Sequence, residues 1–338
     1  MKKYFNTRKK RLITISTLML ILITGVVVIM LIFGGSPTVY QIDEDQYSLK
    51  DFNFQRYLAR SEVVNKTTNL SIAELEARPD GQTSVRILIE DKIEQNLKVQ
   101  TAVRLLASKY KIILTEGDKK SAIMNRDAFI KQVGGNTKYK KFLKDNETDN
   151  QTLTQYYQSD ILYQKIKEKV FSAGKTADLS EAELADAAKS YPKNIAKISY
   201  ILFKLTDDSG EALSASELEA KSVLAEELAS QLTIENFQTL AKEKTEDYEN
   251  AGNPIYLENA GSSDTLSQAV FATEPNQISS PITLGSGIVI INRLTLDEAY
   301  YQTYLETLRQ KKLTDEMKAI VDTLNVHHGK GYRKIEVK

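Results

Sequence analysis

The chain has 338 residues, 41% hydrophobic and 27% charged, with no cysteine. That length suits about two domains, and that balance excludes a disordered chain. The absence of cysteine excludes disulfides, thiolate nucleophiles, Cys-ligated metals and a lipid-modified cysteine. Acids and bases both number 45, but Lys2, Lys3, Arg8, Lys9, Lys10 and Arg11 precede the first acid, Asp43, leaving 39 bases against 45 acids beyond them. A mildly acidic body offers no electrostatic footprint for nucleic acid.

The basic head runs into residues 12–33, LITISTLMLILITGVVVIMLIF, 22 residues without a charge. As a helix this stretch reaches roughly 33 Å, enough for the ~30 Å hydrocarbon core of a bilayer. Positive charge before it and none directly after it predicts a cytoplasmic N-terminus and a body outside. The competing reading is a cleaved signal peptide, whose apolar region spans about 7–15 residues before a small-residue cleavage site. Here the run is longer, and the one small cluster, Gly34-Gly35-Ser36, is followed at once by Pro37. The expectation is a cytoplasmic tail over 1–11 and an uncleaved transmembrane anchor over 12–33.

In the body, residues 38–42 read as a short extended piece, followed by helices and a turn at Pro79-Asp80-Gly81. Val85, Ile89, Ile93, Leu97, Val103, Leu106, Ala107 and Tyr110 form one apolar stripe, predicting a long amphipathic helix over 84–111. Thr115 and Asp118 open the next helix as a capping box, and Gly134-Gly135-Asn136 breaks it. Further helices are expected near 139–145 and 152–171, the second stopped by Gly174. Leu179-Ser180 with Glu183-Leu184 combines a capping box and a hydrophobic staple, and Pro192 is expected to end that helix.

Residues 197–205, KISYILFKL, are β-branched and aromatic and predict a strand. A turn at 207–210 leads to a second box and staple, Leu213-Ser214 with Glu217-Leu218, starting a helix to about 231. Thr233 and Asn236 cap a shorter helix to about 244. A short helix near 266–271, a strand over 287–294 after Pro281, and a last helix capped by Asp297 and running to about 323 complete the pattern. Three or four strands with helices between them predict a compact α+β unit over 196–296.

Several of these residues lie in the order and spacing of a known signature. The strand KISYILFKL, Asn236-Phe237 with Leu240-Ala241, Thr245 with Asp247, Gly252, Ala269 with Phe271, and Ser280-Pro281-Ile282 with Gly287 and Ile290-Ile291 resemble the parvulin (PpiC-type) prolyl isomerases. The preceding stretch, notably the long helix followed by Lys111-Ile112-Ile113-Leu114-Thr115, resembles the helical chaperone domain of the SurA and PrsA foldases. The resemblance implies a helical chaperone lobe over 34–195, an inserted parvulin-like domain over 196–296, and a helix over 297–338 that returns to the lobe.

The departures are chemical. In the family a histidine follows Ser in the first strand and another follows Gly in the last; here Tyr200 and Val289 stand at those places, while Asp247 keeps the family's Cys-or-Asp position. A valine cannot join a hydrogen-bond network, so the resemblance implies a catalytically degenerate domain. Asp247 and Tyr200 are the candidate catalytic residues by position, and Tyr200, Tyr256, Leu266 and Phe271 the candidate substrate-binding ones. Each has a plain alternative as a core or solvated residue. Adjacent His327-His328 on an extended tail is not expected to bind metal, and no cofactor is implied. Sequons at Asn65, Asn69, Asn146 and Asn150 are read as chance.

The sequence therefore points to a membrane-anchored, extracytoplasmic foldase or chaperone, most simply of a Gram-positive bacterium. Its partners would be unfolded or nascent secreted polypeptides, with the secretion channel nearby. Two alternatives stay open: an active prolyl isomerase with a rearranged site, and a membrane-tethered adaptor for one fixed partner.

Overall fold

The computed structural model describes residues 36–66, 85–207, 209–250, 252–259, 261 and 264–332. The expected tail over 1–11, the anchor over 12–33 and the turn at 79–81 lie outside the described residues. No helix among the described residues is long and apolar enough to cross a membrane. The chain divides into two compact units, residues 1–170 with 313–338, and residues 171–312. The second unit thus starts earlier and ends later than the 196–296 read from strand and helix pattern.

In the first unit, β1 (Thr38–Ile42) and β2 (Asp45–Ser48) form an antiparallel hairpin. Asp43 adopts φ 48° in its turn, a left-handed conformation that Asp tolerates better than most residues. Helix α1 (Leu49–Lys66) follows at once, its first turn tied by the Asp51 carboxylate, which accepts the Ser48 backbone N–H at 2.8 Å. Then come α2 (Val85–Lys109), α3 (Glu116–Gln132), α4 (Asn136–Asp145) and α5 (Asn150–Ile166). The chain's last segment, β8 (Val326–His328), pairs with β1 and gives a sheet of order β2-β1-β8.

That pairing corrects the reading of His327-His328 as a tail. The two residues sit in a strand, and the His328 ring stacks on Tyr332 with centroids 3.6 Å apart. The α2 stripe is buried as its spacing predicts: Ile89, Ile93 and Leu97 are wholly enclosed with Val39, Ile42 and Phe52. Leu324, contributed by the far end of the chain, closes this core. A second cluster gathers Phe54, Tyr139 and Leu153. Sequon residue Asn150 is engaged, accepting the Tyr139 hydroxyl at 2.7 Å.

The second unit opens with α6 (Glu181–Asn194), where Ser180 and Glu183 make both bonds of the predicted capping box. Pro192 does not end this helix; it sits two residues inside its C-terminus. There α6 is about to become strand, so the lost N–H removes only one late helical bond. The sheet has order β4-β3-β7-β5, with β6 also on β7. Its strands are β3 (Ile195–Lys204), β4 (Ile255–Glu258), β5 (Gln277–Ile278), β6 (Ile282–Leu284) and β7 (Gly287–Leu294). This exceeds the three or four strands expected, because β5 and β6 are too short to show a period.

Helices α7 (Ala215–Gln231) and α8 (Ile234–Lys244) follow β3, each with its capping box formed, and α9 (Thr265–Ala272) follows β4. The antiparallel β3–β7 register, from Lys197↔Leu294 to Lys204↔Gly287, is the spine of the unit. Gly287 permits it: a Cβ there would lie 2.6 Å from the Phe203 carbonyl oxygen. Ile201, Phe203, Ile288 and Ile290 face α7 and α8 and bury Phe237. Helix α10 (Glu298–Val321) gives its first half to this unit, where Leu305 packs with Leu179 and Ala187. Nearby, the buried Arg309 meets Asp178 at 2.6 Å.

Residues 171–312 should therefore melt cooperatively as an isolated fragment, followed by circular dichroism. Trimming it to 196–296 removes Leu305 and the Arg309–Asp178 pair, and should lower stability by about 3 kcal/mol or more. Equal melting of the two fragments would show that the flanking helices add nothing.

Candidate functional site in the second unit

Strand alternation sends Ala196, Ile198, Tyr200 and Leu202 to the face of the sheet opposite α7 and α8. Val289 and Ile291, paired with Leu202 and Tyr200, lie on the same face. Helix α9 covers part of it, burying Val270 and placing half-buried Leu266 and Phe271 beside Val289. The result is an apolar floor in which Val289 is 5% exposed.

One corner of this floor is polar, and the edge of β3 explains why. Strand β4 pairs with β3 only as far as Ile198, so the N–H and C=O of Leu202 would otherwise lack partners. The segment after α8 supplies them. Thr245 Oγ1 accepts the Leu202 N–H at 3.1 Å, and the Glu246 N–H donates to the Leu202 carbonyl at 2.8 Å. Lys221 holds Glu246 at 2.6 Å.

This docking carries Asp247 to Tyr200. The Tyr200 hydroxyl donates to Asp247 Oδ2. Asn250 Nδ2 donates to both, at 2.9 Å to the hydroxyl and 2.8 Å to the carboxylate. The Asn250 amide, followed by the Tyr200 hydroxyl, holds the Asp247 carboxyl below the usual range. Burial, then the adjoining carboxylate, pushes the Tyr200 phenol up to about 12. At neutral pH Tyr200 is thus a neutral donor and Asp247 an ionised acceptor.

The trio satisfies itself. The single hydroxyl proton of Tyr200 is spent on Asp247, and a hydroxyl has only one to give. Neither Tyr200 nor Asp247 titrates near neutrality. Position 252 needs its glycine: φ is +69°, and a Cβ would lie 2.5 Å from that of Ala241.

The structure brings Tyr200, Asp247, Leu266, Phe271 and Val289 together, but not Tyr256. Tyr256 pairs with Lys197, whose side chain belongs to the opposite face from Tyr200. Its ring stacks on Tyr300 at 3.6 Å, and its hydroxyl donates to Asp297, which also binds Lys197 at 2.9 Å. These bonds brace Asp297, which accepts the Tyr300 N–H at 2.9 Å at the start of α10, so Tyr256 lies there and not beside Tyr200. Two contributors were missed from sequence. Asn250 could have been suspected as a turn partner three residues after Asp247. Arg293, two residues beyond Ile291 in strand alternation, sits 5.3 Å from the Phe271 ring centroid and donates to the Thr273 carbonyl at 2.6 Å, fastening the end of α9.

Residues 184–294 match the family model described as the PPIC-type PPIASE domain, so this part of the chain is parvulin-like, as its sequence resemblance implied. Solved structures that resemble the chain include foldase protein PrsA from Streptococcus pneumoniae, 18% identical with a TM-score of 0.35, covering 71% of this chain and 87% of that one. PrsA from Bacillus subtilis is 16% identical with a TM-score of 0.27, covering 75% and 93%. Foldase protein PrsA from Lactococcus lactis is 11% identical with a TM-score of 0.33, covering 87% and 95%. Among curated proteins none matches.

The two shifted groups predict the pH profile of the second unit. The lowered Asp247 pKa stabilises the fold above the ordinary carboxylate range, and this contribution is lost as pH falls through the lowered value. The raised Tyr200 pKa stabilises it below about 10, and this is lost as pH rises toward about 12. In urea melts across pH, Asp247→Asn should flatten the acid limb and Tyr200→Phe the alkaline limb. At neutral pH Asp247→Ala should cost about 1–3 kcal/mol. Unaltered limbs in both variants would dissolve the trio.

Proposed function

We propose that this chain is a membrane-anchored extracytoplasmic foldase whose parvulin-type domain binds proline-containing segments without appreciable isomerase activity. Residues 12–33 would hold it in the membrane with the N-terminus in the cytoplasm, and its clients would be unfolded secreted polypeptides near the secretion channel. The Gram-positive setting belongs to the same proposal. The observation that carries the reading is the composition of the apolar face: Val289 stands in a histidine's place, and the one polar corner is internally satisfied.

Prolyl isomerisation requires loss of C–N resonance, a barrier of about 18–20 kcal/mol. A surface helps only if it favours the twisted amide over the planar one. Leu266, Phe271 and Val289 offer apolar contact that suits both forms alike, so they bind without lowering the barrier. A second reading, an active isomerase with a rearranged site, is favoured by the Tyr200–Asp247–Asn250 trio itself. If Asn250 releases the hydroxyl on substrate entry, Tyr200 gains a free lone pair near the amide.

The full-length protein should suppress aggregation of a heat-unfolded reporter enzyme. In parallel it should leave the cis–trans relaxation of a proline tetrapeptide at the uncatalysed rate. A rate well above background, abolished by Asp247→Ala, would instead establish the enzyme reading. The membrane part has its own check. Protease added outside intact spheroplasts should digest the body and leave a small membrane-bound fragment, whereas mature protein free in the medium beginning near Ser36 would identify a cleaved signal peptide.

A further inference from the structure

The largest described cavity is in the first unit, not beside Tyr200. It has a volume of about 970 Å³ and is bounded by α1, α2, α5 and the last turns of α10. A second cavity of about 330 Å³ shares Gln55, Gln100, Tyr156 and Ser159 with it, so the two form one cleft. Together they exceed the usual 300–1,000 Å³ of a small-molecule site.

The chemistry of the cleft is unusual for a core-facing helix surface. Gln55 is only 3% exposed, yet it lines both cavities. Its Oε1 accepts the Asn96 amide at 3.1 Å, while its Nε2 meets no acceptor among the described residues. Gln55 Nε2 is not among the wholly buried atoms left without a partner, so this donor is open to a group in the cleft. Half-buried Gln100 and Ser159 beside it also make no side-chain hydrogen bond among the described residues. Amide and hydroxyl groups that can both donate and accept therefore line the shared part of the cleft.

Charge disfavours an anionic ligand. Arg104 is held by Asp45 at 2.6 Å, Lys318 by Asp322 at 2.5 Å, and Glu62 holds Lys92 at 2.9 Å. No cation of the lining is left over for a phosphate or carboxylate. Leu58, Val103 and Met317 supply apolar wall beside the amides.

We propose that this cleft binds the main chain of an extended, uncharged polypeptide segment, with Gln55 and Gln100 bonding its peptide groups and the apolar walls accepting its side chains. The inference rests on the foldase reading and deepens it: client recognition would be through the backbone that all unfolded chains share, not through apolar side chains alone. An extended strand presents its N–H and C=O groups to the side at a spacing of about 3.3 Å per residue, which a row of side-chain amides can meet without reading sequence.

The test uses the full-length protein and a fluorescein-labelled, uncharged peptide of Ser, Ala, Thr and Gln. A companion peptide carries the same side chains but has alternate peptide bonds replaced by esters, which removes N–H donors and weakens the carbonyl acceptors. Fluorescence anisotropy should show the amide peptide binding about tenfold tighter than the ester. Gln100→Leu breaks no internal bond, and should weaken the amide peptide about tenfold while leaving the ester nearly unchanged. Gln55→Leu should do the same, its fold checked by circular dichroism because Asn96 loses an acceptor. Equal affinity for the two peptides, or for wild type and Gln100→Leu, overturns main-chain recognition while leaving client binding intact. If the wild type binds neither peptide and also fails to protect the unfolded reporter enzyme, the foldase reading falls with it.

Discussion

The second unit depends on one constraint, the antiparallel register of β3 against β7. Eight consecutive pairs fix which side chains meet on each face. A slip of one residue would exchange the faces, sending Tyr200 into the α7–α8 core and Ile201 to the open side. At the end of this register Gly287 allows the Phe203 backbone to approach. From this register follow the helical core on one face and the apolar floor with its polar corner on the other. The site is a consequence of the sheet, and its one polar feature is a consequence of the sheet's edge.

That edge links structure to chemistry. The Leu202 peptide group needs partners, Thr245 and Glu246 provide them, and Asp247 is delivered to Tyr200 as a result. The position of Asp247 is therefore accounted for by backbone satisfaction alone, without any catalytic demand. The same reasoning accounts for a tyrosine at position 200. Its phenol reaches an ionised acceptor and a neutral amide, so it is half-buried with its bonds made. Val289 needs none, and the floor around it stays dry and apolar.

Much of the architecture was legible because it is encoded locally. The capping boxes at Thr115, Ser180, Ser214 and Thr233 all formed, since each uses only residues three apart. The stripe of α2 was equally plain, being a repeat of one face. What could not be read depends on distant pairing. Strands β2, β5, β6 and β8 have four residues or fewer and are defined by their partners, not by their own pattern. Tyr256 was misplaced for the same reason: its face depends on its register with Lys197. Gln55 gave no signal at all, because a glutamine in a helix is ordinarily solvated and only the packing of α1, α2 and α5 buries it.

In the proposed reading the two units would divide the work by chemistry: an amide-lined cleft for the shared backbone of unfolded chains, and an apolar floor for proline. The central claim is that the floor holds proline without turning the bond. Exchange spectroscopy of a fluorine-labelled proline peptide, recorded with the full-length protein, measures both properties in one sample. The account predicts broadened peptide signals that report binding, with no exchange peaks between the cis and trans forms. Exchange peaks that grow with protein concentration and vanish in Asp247→Ala would contradict it.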